Sequence, residues 1–303
     1  MAQNKRKESI IKLLSLLILA IIAVLILIYV LPELPVEPPE PGPLPAETDS
    51  IRIYSFNIQI FGASKIAKTE VVEILTDIVS GADLIAIQEV RSATIDPVEQ
   101  FMALLPAHYD YVLGPREGRT NSKEQYWIIY DTNKLQVLAQ ETWADPQDLF
   151  ERNPLAVYFK TTGNFDFIVI NNHIQPSSAR TEISVLPEVI AYYQELWNES
   201  DVLVMGDFNA DGSYFNESTL ADIFPDHAYQ IVITNDFDTT VAAGDNTYDR
   251  FIITATARED YTENCGVIRF DEIYDFSQKQ ILPRNVSDHY PIWAEFSLYN
   301  DTD

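Results

Sequence analysis

The amino-acid sequence predicts an α/β domain over residues 50–303, with packed β-sheets inside and helices outside. Short apolar, β-rich runs recur along this region, and amphipathic helical patterns separate only some of them. Strands therefore outnumber helices, which argues against a barrel of simply alternating strands and helices. We expect strands at Ile51–Phe56, Leu84–Gln88, Tyr126–Tyr130, Ala156–Phe159, Phe165–Asn171, Val202–Met205, Phe251–Thr254 and Pro291–Phe296.

Several of these runs are continuously apolar, as in Val202–Met205. Alternating apolar and polar residues would indicate a strand with one solvated face, so a continuous run favours a strand covered on both faces. Two helical patterns accompany the strands. Lys68–Val79 places its apolar residues on one face and ends near Gly81, whereas the second, Ser178–Trp197, starts at a candidate N-cap serine. Pro187 lies within the second pattern, and we expect it to break or kink that helix.

The N-terminal region divides into three segments. Residues 1–12 contain four basic side chains, residues 13–31 contain no charge, and residues 32–49 contain seven of the 17 prolines. As a helix rising about 1.5 Å per residue, residues 13–31 would span a bilayer core of about 30 Å. We therefore expect an uncleaved transmembrane anchor, and the alternative is a cleaved signal peptide, whose apolar core is usually shorter.

The basic residues before this apolar segment predict a cytoplasmic N-terminus and a folded domain outside the cell. The expected location is the cell membrane, with a single pass; cleavage would instead produce a secreted protein. The Pro-rich linker, residues 32–49, should be extended, and it is either a stalk that holds the domain off the membrane or a disordered tail.

Charge restricts the possible functions of the folded domain. Residues 51–303 carry 16 basic and 40 acidic side chains, a net charge of −24. This charge excludes a protein that grips nucleic acid through bulk positive charge, so a polyanionic substrate would require metal ions and local arginines. Cys265 is the only cysteine, which excludes an intrachain disulfide.

Polar side chains follow three of the predicted strands. Asn57 and Glu89 each follow one strand, and Asp207 and Asn209 follow a third, after Gly206, where we expect a tight turn. Carboxylate and amide oxygens are ligands for Mg²⁺ or Ca²⁺, and they could also bind a phosphate-bound water. Taken alone, Asp207 and Asn209 more often form an Asx-turn at the end of a strand, and Glu89 more often forms a surface ion pair.

Two of the four histidines, His173 and His289, lie beside predicted strands and have polar neighbours. Histidine exchanges protons near neutral pH when a carboxylate fixes its tautomer. The candidate partners are Glu124, before Tyr126–Tyr130, and Asp249, before Phe251–Thr254. Asp288 adjoins His289 and could bind metal or orient an attacking water.

The other histidines, His108 and His227, lack a companion motif, and we assign them structural roles. The sequence contains no Ser-centred nucleophile elbow, no Gly-rich phosphate loop and no CxxC, and His173 is not part of an HExxH motif. Oxygen ligands combined with two histidines favour hydrolysis by an activated water.

These motifs, in their order along the chain, resemble the endonuclease/exonuclease/phosphatase superfamily, and within it the deoxyribonuclease I-like proteins. Each motif alone is a weak signal, but the ordered set covers Ile51 to about Phe296. The set comprises Phe56–Asn57–Ile58 with Phe61–Gly62, Ile87–Gln88–Glu89–Val90–Arg91, Gly118–Arg119, Lys123–Glu124 with Tyr126, His173 with Pro176, Met205–Gly206–Asp207–Phe208–Asn209–Ala210–Asp211, Asp238–Thr239–Thr240, Tyr248–Asp249–Arg250 and Ser287–Asp288–His289–Tyr290–Pro291.

The resemblance implies a four-layered sandwich of two mixed sheets flanked by helices. It also implies that His173, oriented by Glu124, and His289, oriented by Asp249, are the general acid and base, in an order left open. Asn57, Glu89, Asp207, Asn209 and Asp288 would bind Mg²⁺ or Mn²⁺ and hold the phosphate. Arg91 would reach into the DNA minor groove, while Arg152 and Tyr248 would contact phosphates.

The chain departs from the family at three points. Ser122 replaces a DNA-stacking tyrosine, and Gly212 and Asn246 stand where a family disulfide would close. Ca²⁺ is a further candidate ion, but the loop after Asp238 has Ala242 and Gly244 where threonines are expected. A second calcium loop would lie around Asp145 and Asp148.

The leading hypothesis is a metal-dependent endonuclease that cuts DNA to 5′-phosphate ends, with DNA as its partner and a monomeric state. The alternative is a phosphoesterase of the same superfamily that acts on a phospholipid or small phosphate ester, which the predicted anchor and the acidic domain favour. Arg91 and Phe61–Gly62 are nuclease-like and favour the first hypothesis. A binding domain without activity is a third hypothesis, opposed by the complete set of expected site residues.

Overall fold

Twelve strands form two six-stranded sheets in the computed structural model, which describes residues 49–299 and residue 301. The first sheet has the order β11-β12-β1-β2-β4-β3. Its strands are β1 (Ser50–Phe61), β2 (Leu84–Val90), β3 (Tyr109–Leu113), β4 (Gln125–Asp131), β11 (Tyr261–Val267) and β12 (Ile292–Ser297). The second sheet, ordered β5-β6-β7-β8-β10-β9, contains β5 (Leu135–Thr142), β6 (Leu155–Thr161), β7 (Asp166–His173), β8 (Val202–Asp207), β9 (Tyr229–Ile231) and β10 (Asp249–Thr254).

Seven α-helices accompany these sheets in the described part of the chain. They are α1 (Ala63–Ile66), α2 (Thr69–Ser80), α3 (Asp96–Met102), α4 (Ala179–Trp197), α5 (Leu220–Ile223), α6 (Phe270–Ile273) and α7 (Phe276–Lys279). Short 3₁₀ helices occur at Pro176–Ser178, Glu217–Thr219 and Pro283–Asn285.

The two sheets pack face to face, and the helices lie on their outer faces. Between the sheets, Ile53 and Ala86 of the first sheet share a buried cluster with Val169 and Leu203 of the second. Helix α2 packs on the outer face of the first sheet, and α4 packs on the outer face of the second. This helix–sheet–sheet–helix order is the expected four-layered sandwich, in which each fully buried aliphatic side chain contributes roughly 1.5–3 kcal/mol.

Both sheets are mixed, which determines where their strand ends meet. Strands β1 and β2 are parallel, as are β7 and β8, while the remaining pairs are antiparallel. The carboxyl ends of the two parallel pairs lie at the same end of the sandwich, and they bring polar residues together there.

The eight predicted strands are all present, whereas β3, β5, β9 and β11 were not predicted. Helix α2 ends at Ser80 with Gly81 as its C-cap, as expected. Helix α4 runs without a break through Pro187, so the predicted break is wrong, because the helix is held along its length by buried residues that pack on the second sheet. Ser178 precedes α4, but its hydroxyl donates to Glu182 Oε1 at 2.5 Å and does not cap the helix.

The predicted basic N-terminus (1–12), transmembrane segment (13–31) and Pro-rich linker, up to residue 48, lie outside the described residues. Within the described part, no helix is both long enough and apolar enough to cross a bilayer.

Candidate active site

The candidate site lies where the carboxyl ends of β1, β2, β7 and β8 meet, at one end of the sandwich. Bulges in β1 and β2 shape it. Gln59 and Ile60 have positive φ angles of 46° and 55°, and Glu89 has a φ angle of 65°. The register between β1 and β2 shifts between Asn57 and Phe61. Because a bulge turns side chains away from the regular pleat, Asn57 and Glu89 can both point toward the second sheet.

Asp207 lies at the centre of this site. Asn57 Nδ2 donates to Asp207 Oδ2 at 3.0 Å, and this hydrogen bond joins the first sheet to the second. The same nitrogen lies 3.3 Å from Glu89 Oε1. Strand β8 continues through Gly206 to Asp207, and no tight turn forms there. Gly206 is needed for a different reason: its φ is 145°, and a Cβ would lie 1.8 Å from the Asn172 carbonyl oxygen on β7.

His173, at the end of β7, is oriented by Glu124. Its Nδ1 donates to Glu124 Oε1 at 2.6 Å, and its Nε2 lies 3.4 Å from Asp207 Oδ2. The His173 backbone N–H also donates to the Tyr126 hydroxyl at 2.8 Å. His173 and Glu124 are both buried, so the imidazole is held in one orientation.

His289, just before β12, is oriented in the same manner by Asp249. Its Nδ1 donates to Asp249 Oδ2 at 2.8 Å, and its Nε2 lies 3.6 Å from Asp207 Oδ2. Ser287 connects this segment to β1, because its hydroxyl donates to the Asn57 carbonyl oxygen at 2.6 Å and accepts from His289 N–H at 3.0 Å. Two histidines therefore approach one carboxylate oxygen, each fixed through its other ring nitrogen.

The electrostatics of the site follow from this density of carboxylates. Burial opposes the charged form of His289, but Asp249 and Asp207 outweigh burial and raise the pKa of His289 to about 10. Burial likewise opposes ionisation of Glu124, yet His173 and Arg152 lower the pKa of Glu124 to about 2. Without a bound cation, the site is thus occupied by carboxylates and an imidazolium.

A cluster of possible metal ligands at this site includes one of the predicted metal ligands, Asp207. Ligand atoms of Asp207, Asp249 and His289 lie within 4.8 Å of one another. Because Asp249 already accepts from His289, the oxygens of Glu89 and Asp207, joined by Asn57, fit a hard divalent ion better.

The two remaining predicted ligands are adjacent. Asn209 donates its backbone N–H to Asp207 Oδ1 at 3.0 Å and its amide to the Ile174 carbonyl at 2.9 Å. Asp288 directly precedes His289, and both residues line one cavity.

The two arginines predicted to bind substrate are both paired with carboxylates. Arg91 pairs with Glu89 at 3.1 Å and with Glu124 at 3.2 Å, while its side chain remains 28% exposed. Arg152 is buried, and its Nε lies 2.7 Å from Glu124 Oε1 and donates to the His173 carbonyl at 3.0 Å. Its Nη2 is buried without a hydrogen-bond partner among the described residues.

Tyr248 is partly exposed beside the second histidine. Its ring centroid lies 6.3 Å from that of His289, and its backbone N–H donates to the Thr239 hydroxyl at 3.1 Å. The predicted stacking position, Ser122, instead accepts a hydrogen bond from Arg91 Nη1 at 3.2 Å.

Sequence reasoning missed Lys65, a buried lysine on α1. Its ammonium donates to the carbonyls of Ile58, Gln59 and Val286 at 2.5, 2.6 and 2.7 Å. Burial is the main cause that lowers the pKa of Lys65 to about 8. The lysine ties β1 to the segment carrying His289, and no local sequence signal distinguishes it from exposed Lys68.

The two loops considered for calcium have carboxylates already paired with arginines. Arg119 Nη2 donates to Asp148 Oδ1 at 2.9 Å and to the Phe150 carbonyl at 3.0 Å. In the other loop, Arg269 Nη2 lies 3.0 Å from Asp238 Oδ2. These guanidinium groups contact oxygens that a calcium ion would need.

The chain belongs to the endonuclease/exonuclease/phosphatase family, whose profile matches residues 54–289. It is therefore a hydrolase of that phosphoester-cleaving class. Deoxyribonuclease-1-like 2 of Mus musculus is 30% identical, covering 82% of this chain and 93% of the relative. Deoxyribonuclease-1 of Bos taurus is 31% identical, covering 80% of this chain and 91% of the relative.

Solved structures of the family share the fold at lower sequence identity. An endonuclease/exonuclease/phosphatase family protein from Bacteroides thetaiotaomicron superposes with a TM-score of 0.56 at 16% identity, covering 82% of this chain and 94% of that one. The predicted family and two-sheet sandwich are confirmed.

Proposed function

We propose that this protein is a divalent-metal-dependent endonuclease that hydrolyses DNA phosphodiester bonds and leaves 5′-phosphate ends. One observation carries the proposal: His173 Nε2 and His289 Nε2 lie 3.4 and 3.6 Å from the same oxygen of Asp207. Each ring is fixed at Nδ1 by its own buried carboxylate, so both Nε2 atoms face a common centre, and the scissile phosphate would bind there.

The chemistry follows from this geometry. One histidine takes a proton from the attacking water, and the other donates a proton to the departing sugar oxygen, on opposite sides of the phosphorus. Glu124 and Asp249 keep the tautomers that this exchange requires, and they stabilise the charged ring that forms. Arg152 is the expected phosphate contact, and its buried Nη2 has no hydrogen-bond partner in the part of the chain that the structure describes.

A bound Mg²⁺ or Mn²⁺ would supply charge stabilisation to the phosphate in the transition state. The residues that would hold it are oxygen donors around Asp207: Asn57, Glu89, Asp207, Asn209 and Asp288. The ion would also offset the negative charge of a domain that must accept a polyanion.

Three features support DNA as the substrate. The relatives with about 30% identity are named deoxyribonucleases. Arg91 keeps 28% of its side chain exposed next to the site, where it can enter a groove of the duplex. Tyr248 is partly exposed beside His289, where it can contact a backbone phosphate.

The second candidate function is hydrolysis of a phospholipid or a small phosphate ester. The net charge of −26 and the apolar segment 13–31 favour it, because neither feature helps a protein bind DNA. Activity on duplex DNA, sphingomyelin vesicles and inositol phosphates, measured side by side, separates the two functions. Hydrolysis of DNA alone supports the nuclease, and hydrolysis of the lipid or inositol ester alone contradicts it.

Metal dependence has its own test. Activity should disappear in EDTA and return when Mg²⁺ or Mn²⁺ is added in excess. Activity that persists after thorough chelation would contradict the assignment of Asn57, Glu89, Asp207, Asn209 and Asp288 as metal ligands.

We further propose that the domain acts as a monomer outside the cell, held by an anchor at residues 13–31. The absence of charge in this segment, together with the basic residues before it, supports the proposal. The native protein should sediment with membranes until residues 1–45 are removed. A shortened, freely soluble native form would instead indicate cleavage of a signal peptide.

A further inference from the structure

A second cavity opens directly beside His289. Its volume is about 410 Å³, and it is lined on one side by the loop after β9 and on the other by the segment before β12. The lining residues include Ala242, Asn246, Tyr248, Arg284 and His289. The cavity is thus continuous with the candidate site but displaced from its centre at Asp207.

Arg284 is the arginine of this cavity, which His289 and the carboxylate of Asp288, assigned above to the metal, also line. It is exposed on the 3₁₀ helix Pro283–Asn285. Among residues 49–299 and 301, its side chain has no hydrogen-bond or ion-pair partner, in contrast to Arg91 and Arg152, which are both paired with Glu124. An exposed guanidinium without a carboxylate partner can bind an incoming anion without first breaking an ion pair.

The other walls suit a phosphate as well. Ala242 is a small, exposed residue of the lining. Asn246 and Tyr248 are partly exposed polar residues on the opposite wall, and each carries a group that can donate a hydrogen bond. A guanidinium is planar and presents donors in a fork that matches two phosphate oxygens.

We propose that this cavity binds a second phosphate of the substrate, next to the scissile one, and that Arg284 is its principal ligand. The inference rests on the proposed function, because the scissile phosphate must lie between His173 and His289. A nucleic acid strand carries a phosphate at every nucleotide, so a phosphate at the centre places another within reach of the cavity. Arg284 thereby favours polymeric substrates over esters with a single phosphate.

The test compares two substrates in Arg284→Gln. An oligonucleotide duplex has successive phosphates, whereas bis(p-nitrophenyl) phosphate has only the scissile one. The variant should raise the KM for the duplex about tenfold, and its loss of kcat/KM should be about tenfold larger on the duplex than on the small ester. The slope of log KM against log salt should fall by about one, as expected for one lost phosphate contact.

Arg52→Gln is the matched control, because it removes the same charge at the far end of β1, away from the cavity. It should keep the wild-type ratio between the two substrates and the wild-type salt slope. Equal loss on both substrates in Arg284→Gln would overturn the proposal, because the residue would then support His289 or the fold. Wild-type behaviour on both substrates would overturn it as well.

Binding separates this proposal from the nuclease proposal. In the His173→Ala background, Arg284→Gln should weaken binding of a fluorescent oligonucleotide about tenfold at fixed salt; unchanged affinity would contradict the phosphate subsite. If the affinity falls for inositol hexakisphosphate but not for the oligonucleotide, the ligand is a small phosphate ester and the DNA assignment is wrong. Wild-type protein that binds through Arg284 but never cleaves DNA would refute only the nuclease.

Discussion

His173 donates a hydrogen bond from Nδ1 to Glu124 Oε1 at 2.6 Å. The same oxygen lies 2.7 Å from Arg152 Nε, so one buried carboxylate orients the imidazole and neutralises a buried guanidinium. Activity should therefore depend on the charge of Glu124, although this residue need not touch the phosphate.

Glu124→Gln should lower kcat about 10²-fold or more, because an amide can donate to Nδ1 and stabilise the wrong tautomer. Steady-state DNA cleavage at saturating Mg²⁺ measures the effect. Glu188→Gln, an exposed change on α4, is the control and should retain full activity. A Glu124→Gln enzyme with more than half of the wild-type kcat would show that His173 does not need this partner.

The ionised carboxylate of Glu124 should also make the stability of the protein depend on pH. The pKa of Glu124 is about 2 in the folded protein and 4.5 ordinarily, so its contribution is fully present above pH 4.5 and is lost as the pH falls toward 2. Between pH 7 and 3 this loss is on the order of 2 kcal/mol. Urea unfolding of Glu124→Gln should show a pH-dependent decrease smaller by that amount than in the wild type. An identical decrease in both proteins would refute the ionised, buried pair.

His289 should remain protonated in the metal-free protein at neutral pH, because Asp249 and Asp207 raise its pKa to about 10. Mg²⁺ beside Asp207 should lower this pKa, since a cation competes with the imidazolium for the same carboxylate. NMR titration of the ring protons, with and without Mg²⁺, measures both values. A His289 pKa that does not move with Mg²⁺ would place the ion away from Asp207.

Lys65 should be needed for stability. Lys65→Met removes the ammonium and leaves the carbonyls of Ile58, Gln59 and Val286 without this donor. The loss in unfolding free energy should be on the order of 3–5 kcal/mol. Urea denaturation measures it, with exposed Lys68→Met as the control, which should change stability by less than about 0.5 kcal/mol. Equal stability of the two variants would contradict the role of Lys65 in joining β1 to the His289 segment.

The predicted and unpredicted strands differ in their place within the sheets. The strands not predicted from the sequence, β3, β5, β9 and β11, are the four sheet edges. Central strands such as β8 are buried at every residue, so they appear as continuous apolar runs. Edge strand β11 has no fully buried residue, and β5 is mostly exposed, so neither carries that pattern. These edge strands form because they pair with a neighbouring strand, and the local sequence does not indicate that pairing.

The candidate site was predictable where polar residues lie at the end of a buried strand, as at Glu89, His173 and Asp207. The partners Glu124 and Asp249 could be proposed because each precedes a strand of the same set. Lys65 could not, since its burial depends on Val286, which is 221 residues away. The ion pair between Arg152 and Glu124 could not be predicted for the same reason, because tertiary contacts decide whether an arginine is paired with a carboxylate.

Nicking of supercoiled plasmid DNA in Mg²⁺ tests the central claim most directly. Wild-type protein should convert the plasmid to nicked circles with ligatable 5′-phosphate ends. His173→Ala and His289→Ala should each reduce the rate about 10²–10⁴-fold, since each removes one proton-transfer group. Intact plasmid after incubation with folded, metal-loaded wild type, or wild-type nicking by either variant, would contradict a nuclease centred on these two histidines.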